Sequence, residues 1–329
     1  MAACEFYTLF SGSSGNSVFV RYGEDAILVD AGKSAKAVET ALAELGSSLK
    51  HVKAIFVTHE HSDHVAALPV ISRKHKIPIH FLAETAYEMR QLPESAVLHN
   101  GLYSEKVGNI KVEAFYTPHD SVRSVGYTIT CGDCRFGIAT DMGVITRNVV
   151  EALAGCDCAM IESNYDEDML ENGPYPRSLK ERIASTRGHL SNKNGALLAA
   201  ILAHSGTRRI VLGHLSAENN DPEIALQEAK EELCRRGLCA DLSVAEISKM
   251  LSYNPKYISH LFKEKMNVSY SEYLRSMRIK YAITLFDHGI DSVKNVALLS
   301  GFSDPLYFSN VFKKQVGVSP KEYIISKKG

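Results

Sequence analysis

The sequence predicts an α/β domain followed by a smaller all-α domain, and three observations carry that reading. Short β-rich runs alternate with helical stretches from the start of the chain to about Leu215. The strand signal ends after Gly237. Beyond it, VAEISKMLSYNPKYISHLFKEKMNVSYSEYL and VKNVALLSGFSDPLYFSNVFKKQVGVSPKEY resemble one another, each reading as helix, tight turn, helix. Domains are expected at 1–238 and 239–329.

Strands are expected at 17–21, 26–29, 54–57, 77–81, 112–115, 126–130, 136–139, 158–161 and 209–212, where apolar and β-branched residues run between turn residues. Helices are expected at 35–45, 63–75, 179–185, 192–203 and 222–236. The early strands follow in hairpin order and the later ones alternate with helices, which implies two sheets flanked by helices. In the tail, Ser243 opens a helix to Leu251. Asn254 caps another, with Pro255 at its first position, running to Met266. Ser269 opens a long helix to Phe286 and Ser292 a short one to Leu299. Asp304-Pro305 and Ser319-Pro320 repeat the cap-plus-proline start.

Composition bounds the chemistry. With 45% hydrophobic and 23% charged residues, the chain reads as globular. No apolar run reaches the roughly 18 residues of a membrane helix, and MAACEFYTLF lacks the basic start of a secretory signal. Seven cysteines, an odd number, favour a reducing cytoplasm over a disulfide framework. Residues 240–329 hold 13 basic against 8 acidic side chains, net +5, whereas the rest of the chain is net −6. A basic tail on an acidic body hints at nucleic acid. Cys131-Gly132-Asp133-Cys134 reads as a hairpin turn, and His51, His75, His80, His99, His204 and His288 as surface or packing residues.

Residues 58–64, THEHSDH, follow the apolar run AIFV. His59 and His61, at i and i+2, project to one side as the strand opens, while Asp63 and His64 start the next helix and face a second point. Neutral imidazole and carboxylate suit zinc, manganese or iron, without cysteine. This segment resembles the first histidine motif of the metallo-β-lactamase fold. YTPHD with His119, ATDMG with Asp141 and VLGHLS with His214 follow in that family's order. The resemblance implies an αββα sandwich holding two divalent metal ions, zinc foremost. His59, His61 and His119 would hold one, Asp63, His64 and His214 the other, with Asp141 between them. Such a pair lowers the pKa of water from 15.7 to about 7 and clamps a phosphoryl or acyl group.

Longer stretches narrow the branch. SGSSGNS, IESNYDEDML, GPYPRSLKERI, GHLSN and LGHLSAENN resemble the bacterial YycJ/WalJ/VicX-type proteins over roughly residues 4–237. That group is nuclease-like and implies a phosphodiester substrate. Tyr165 departs from it, standing where histidine is expected after Asn164. Asp63 and His189 are the expected catalytic groups, with His189 protonating the leaving oxygen. Ser191, Asn192 and Lys193 sit at a helix start suited to a phosphate. Arg177, Lys180 and Arg182 suit either a phosphate chain or a solvated face.

The second tail segment is very similar to the DNA-binding domain of AraC/XylS-family transcription regulators. The resemblance makes Leu306, Phe308, Val311 and Phe312 core positions of the second recognition helix. It leaves Asn254, Lys256, Ser259, His260 and Lys263, then Ser303, Asp304, Tyr307, Ser309, Asn310 and Lys313, to meet double-stranded DNA in successive major grooves. The chain is thus expected to be a transcription regulator carrying a binuclear hydrolase, cytoplasmic and off the membrane, with a phosphate-containing substrate or effector. Homodimerisation stays open. The alternatives are an exonuclease targeted by the tail and a regulator whose metal domain is catalytically silent.

Overall fold

The stretch DAILV at Asp25–Val29 sets the architecture. Its side chains alternate, so Ile27 and Val29 enter one apolar core while Ala26 and Leu28 enter another. A strand buried on both faces needs a layer on each side. The computed structural model of the protein, which describes residues 3–238, 270–287, 290–302 and 304–328, supplies both layers.

Two six-stranded sheets stack face to face. The first runs β1 (Cys4–Phe10), β2 (Ser17–Tyr22), β3 (Asp25–Val29), β4 (Val52–Phe56), β5 (Ile79–Leu82) and β6 (Ala96–His99), in that order. Its first three strands are antiparallel and β3 to β6 parallel. The second contains β7 (Ser104–Val107), β8 (Ile110–Thr117), β9 (Ser124–Cys131), β10 (Cys134–Ala139), β11 (Cys158–Glu162) and β12 (Arg209–Gly213), in the order β12-β11-β10-β9-β8-β7. Here β7 to β10 are antiparallel and β10 to β12 parallel. The inner core joins Val18, Val20, Ile27, Val29 and Phe56 to Ile110, Val112, Tyr127, Ile129 and Ile138. This is the expected αββα sandwich.

Helices cover the outer faces. On the first sheet, α1 (Ala35–Glu44) and α3 (Leu68–His75) bury Val38, Leu42, Leu68 and Ile71 against Phe19, Leu28 and Ile55. Between them lies the one-turn helix α2 (Ser62–Val65). The expected single helix over 63–75 is therefore two, because Pro69 restarts the chain after Ala67. Among the later helices, α5 (Arg147–Leu153), α8 (Asn192–His204) and α9 (Pro222–Arg235) bury Leu153, Leu198, Ala225 and Ala229 in the core shared with the second sheet. Gly137 makes room for one of them: a Cβ there would lie 2.4 Å from Leu153 Cδ2. The helices α4 (Ala83–Tyr87), α6 (Glu167–Asn172) and α7 (Arg177–Ile183) are short surface pieces. Cys131 and Cys134 face each other across a turn with Gly132 at φ 59°, as the hairpin reading expects.

The chain divides into two compact units, Met1–Tyr253 and Asn254–Gly329. In the second, helices Tyr270–Asp287, Val293–Leu299, Pro305–Val316 and Pro320–Lys328 enclose Ile279, Ala282, Phe286, Val296, Phe302, Phe308 and Phe312. The expected caps are made: Ser292 accepts from Asn295 N, and Asp304 from Leu306 N. One core position moves, since Leu306 is 78% exposed at the first turn of its helix. The helix-turn-helix unit ahead of these helices lies outside the described residues, as do Asn254, Lys256, Ser259, His260, Lys263 and Ser303. No helix among the described residues is long and apolar enough to cross a membrane.

Candidate metal centre

Three strand ends carry polar residues in a backbone conformation that costs energy outside glycine. Asp30, Asp141 and His214 have φ of 60°, 56° and 56°, each just past the C-terminal end of β3, β10 or β12. Such strain persists where the surrounding structure fixes it, and it gathers at functional sites. Here it turns three buried side chains towards one point at the end of the sandwich.

The THEHSDH segment reaches the same point from β4. His61 stands at the N-terminus of α2, so Asp63 and His64 fall in its first turn. Two neighbouring segments, SGSSGNS and Asp30-Ala31-Gly32, fix their position: Asn16 N donates to Asp63 O at 2.7 Å and Ala31 N to His64 O at 2.8 Å. Gly32 is obligatory in this contact, because a Cβ would sit 1.5 Å from Asp63 O.

The predicted ligands gather in the predicted groups. Donor atoms of His59, His61 and His119 lie within 4.8 Å of one another, and so do those of Asp63, His64 and His214. Asp141 faces both sets. Its Oδ1 is 3.8 Å from His119 Nε2 and 3.3 Å from His214 Nε2, and its Oδ2 is 3.4 Å from His64 Nε2. His59, His64, His119, Asp141 and His214 are buried, whereas His61 and Asp63 stand at the open side.

Acceptors behind the imidazoles fix which nitrogen faces inward. His64 Nδ1 donates to Asp30 Oδ2 at 2.8 Å, His119 Nδ1 to Gly188 O at 3.1 Å and His214 Nδ1 to Glu162 Oε1 at 2.9 Å. Holding Nδ1 this way leaves Nε2 as the lone-pair atom, the arrangement found behind metal-bound histidines. Accordingly His59 Nε2, His119 Nε2, His214 Nε2 and Asp141 Oδ2 are buried without a hydrogen-bond partner. Four convergent buried atoms without partners are expensive unless a cation meets them. The donor set, imidazole with carboxylate, fits a divalent transition ion.

The same crowding sets the charges. Burial alone would raise the Asp63 carboxyl, but the neighbouring His214 and His64 imidazoles hold it well below the usual carboxylate range. Burial opposes charge on His214, yet the Asp141, Asp63 and Glu162 carboxylates favour it, the positive charge that a cation at Nε2 would supply in place of a proton. Burial and the neighbouring His64 keep His59 well below the ordinary histidine range.

Further groups complete the site. His189 stacks on His214 with centroids 5.2 Å apart and bonds Glu162 through Nδ1 at 2.7 Å. Asp120 lies 3.3 Å from His119 Nε2 and is tied to Arg182. Arg187 donates to the carbonyls of His119 and Ser121, both at 3.0 Å. Sequence reasoning assigned no role to Asp30, Glu162 or Asp120, although the first two end apolar strands, AILVD and CAMIE, as Asp141 ends its own. The residues of the expected phosphate cradle each have a partner within the chain. Ser191 caps α8 by accepting from Asn194 N. Asn192 is buried in bonds to Ser163 and Asn220, and Lys193 pairs with Glu167. Arg177 pairs with Glu181 along its own helix, and Lys180 donates to Glu171 O. Tyr165 is buried, and its carbonyl accepts from Asn192 N at 2.8 Å.

The beta-lactamase superfamily domain matches residues 25–215, more than half of the chain. The chain belongs to the beta-lactamase superfamily. Within the superfamily it is 33% identical over 256 residues to exodeoxyribonuclease YycJ of Bacillus anthracis, covering 76% of this chain and 96% of that protein. Identity to exodeoxyribonuclease WalJ of Streptococcus pneumoniae is 33% over 259 residues, covering 76% and 94%. Among solved structures the superfamily fold is shared with YhfI of Bacillus subtilis at a TM-score of 0.56 and 15% identity, over 70% of this chain and 93% of that one. A helix-turn-helix domain matches residues 247–324, completing the YycJ/WalJ-type hydrolase domain with an AraC-type tail. On the described part of that tail Asp304, Tyr307, Asn310 and Lys313 are exposed, whereas Ser309 is half-buried and donates to Pro305 O.

Proposed function

We propose that this chain joins a binuclear metal-dependent phosphodiester hydrolase to a tail that reads duplex DNA, with transcription regulation as its output. The observation that carries the hydrolase reading is the set of inward Nε2 and carboxylate atoms, with His64, His119 and His214 each backed by an acceptor at Nδ1. His59, His61 and His119 would hold one divalent ion and Asp63, His64 and His214 the other, with Asp141 shared. Zinc is the first choice for an imidazole-carboxylate set. When bound, such ions supply Lewis acidity to a phosphoryl oxygen and lower the pKa of water to about 7.

The chain's own groups do the rest. Asp63, held ionised at the open side, accepts the hydrogen bond that orients the attacking water. His189 is the acid for the leaving oxygen. Burial opposes its charge, but Glu162 raises it above the ordinary histidine range and keeps it charged further into neutral pH. Arg187 and the Asp120–Arg182 pair position the His119 loop.

A second reading, a DNA exonuclease directed by its tail, is favoured by the identity with YycJ across nearly that whole protein. Incubating metal-loaded protein with end-labelled linear duplex and with a generic phosphodiester tests both. Turnover of the small ester with footprinting and intact DNA ends supports the regulator. Rapid end-degradation abolished by Asp63→Ala supports the exonuclease. No turnover of either substrate by fully loaded protein would leave neither reading standing.

A further inference from the structure

A second cluster of metal-binding side chains lies away from the strand ends that build the main nest. His80 on β5 shares the inner face of its sheet with Leu82 and Phe56 and is 7% exposed. Its Nδ1 is hydrogen-bonded to Nε2 of His99 on β6 at 3.0 Å, a bond that an ion shared by the two rings would replace. Glu105, on β7 of the other sheet, approaches His99 Nδ1 at 4.0 Å. Donor atoms from all three residues lie within 4.8 Å of one another. Aromatic rings hold both imidazoles: His99 stacks on Tyr103 at 3.7 Å and 9°, and His80 on Phe56 at 4.7 Å and 18°.

Apolar side chains would fill this edge of the sandwich without a desolvation cost, so two imidazoles and a carboxylate there need an account. Burial holds both imidazoles below the ordinary histidine range, which leaves them neutral, as metal ligands must be. A nitrogen pair about 3 Å apart matches what two ligands present to one ion with bonds of about 2.0–2.1 Å. Glu105 is 37% exposed at its side chain and, lying nearest His99 Nδ1, would have to swing towards Nε2 to serve the ion as a third ligand.

We propose that His80, His99 and Glu105 form a further cation site, separate from the main nest, that takes a borderline divalent ion, zinc first, and staples β5 and β6 of one sheet to β7 of the other. The fourth position is left to water, and the site's role is to hold the sandwich edge closed. Thiolate is absent from the set, so softer ions such as Cu(I) are disfavoured.

Equilibrium dialysis of the full chain against Zn(II), with metal counted per chain, tests this. His99→Gln should bind one zinc fewer than the wild type and still turn over a generic phosphodiester. Asp141→Asn, which disables the main nest, should still melt at a higher temperature with zinc, and the Asp141→Asn/His99→Gln double variant should not. Glu105→Gln, at a more open position, should weaken this one equivalent about 10–100-fold, which settles the matter if His99→Gln does not fold. Equal zinc counts and affinities in wild type, His99→Gln and Glu105→Gln would overturn the proposal and leave a hydrogen-bonded imidazole pair. Failure of the main nest would appear instead as Asp141→Asn matching the wild type.

Discussion

Glu162 Oε1 lies 2.7 Å from His189 Nδ1, with the carboxylate wholly buried and the imidazole open to the site. A buried carboxylate behind a half-open histidine holds its tautomer and favours the charged form. His189→Ala should lower kcat on a DNA-like ester about 10²–10⁴-fold, the usual worth of a general acid, with metal content unchanged. A p-nitrophenyl ester, whose leaving group needs little protonation, should lose much less. Equal losses on both esters would assign His189 to the fold.

Asp30 acts through His64, which it holds at 2.8 Å. Asp30→Asn should weaken metal binding about 10–100-fold without removing a ligand. Competition with a chromophoric chelator measures this, and unchanged affinity would remove Asp30 from the site. Thr58 donates to the same carboxylate at 2.8 Å, so Thr58→Val should move affinity the same way by less.

A pH-dependent tie joins the sheets. Asp25 accepts from Lys53 and from Asn109 N and Nδ2 at 2.8 and 3.0 Å. These bonds hold its carboxyl below the ordinary range, so its stabilisation is full above the unfolded pKa of about 3.9 and is lost as pH falls through the lower folded value. Wild type should melt above Asp25→Asn by a constant margin from pH 8 to about pH 5, and the margin should shrink below about pH 4. A margin that grows in acid would contradict the assignment.

In the tail, packing and recognition separate cleanly. Phe308 and Phe312 are fully buried, and truncating either to alanine should cost about 3–5 kcal/mol. Asn310→Ala and Lys313→Ala, on the exposed face, should leave the melting temperature nearly unchanged and weaken DNA binding. For Lys313 the loss should be nearly uniform across sequences, with a shallower salt dependence.

Much of the fold and the metal nest was legible in the sequence, because each is written in local order. Apolar, β-branched runs mark β2 to β4, and cap-plus-proline starts mark the tail helices. The strands that escaped, β1, β6 and β7, are mostly half-buried or exposed and carry no long apolar run. Asp30 and Glu162 escaped for another reason. A carboxylate behind a histidine is defined by a distance across sheets, and nothing next to it in sequence records that distance. Ser191 and Asn192 read two ways, because a helix start offers the same residues to a phosphate and to its own first turn.

The proposed binuclear centre draws distant side chains onto two cations, and anomalous diffraction from zinc-loaded crystals at the zinc edge would reveal them. Two peaks should appear, one among His59, His61 and His119, the other among Asp63, His64 and His214, with Asp141 between them. A map from fully loaded crystals without density at either position would contradict the account.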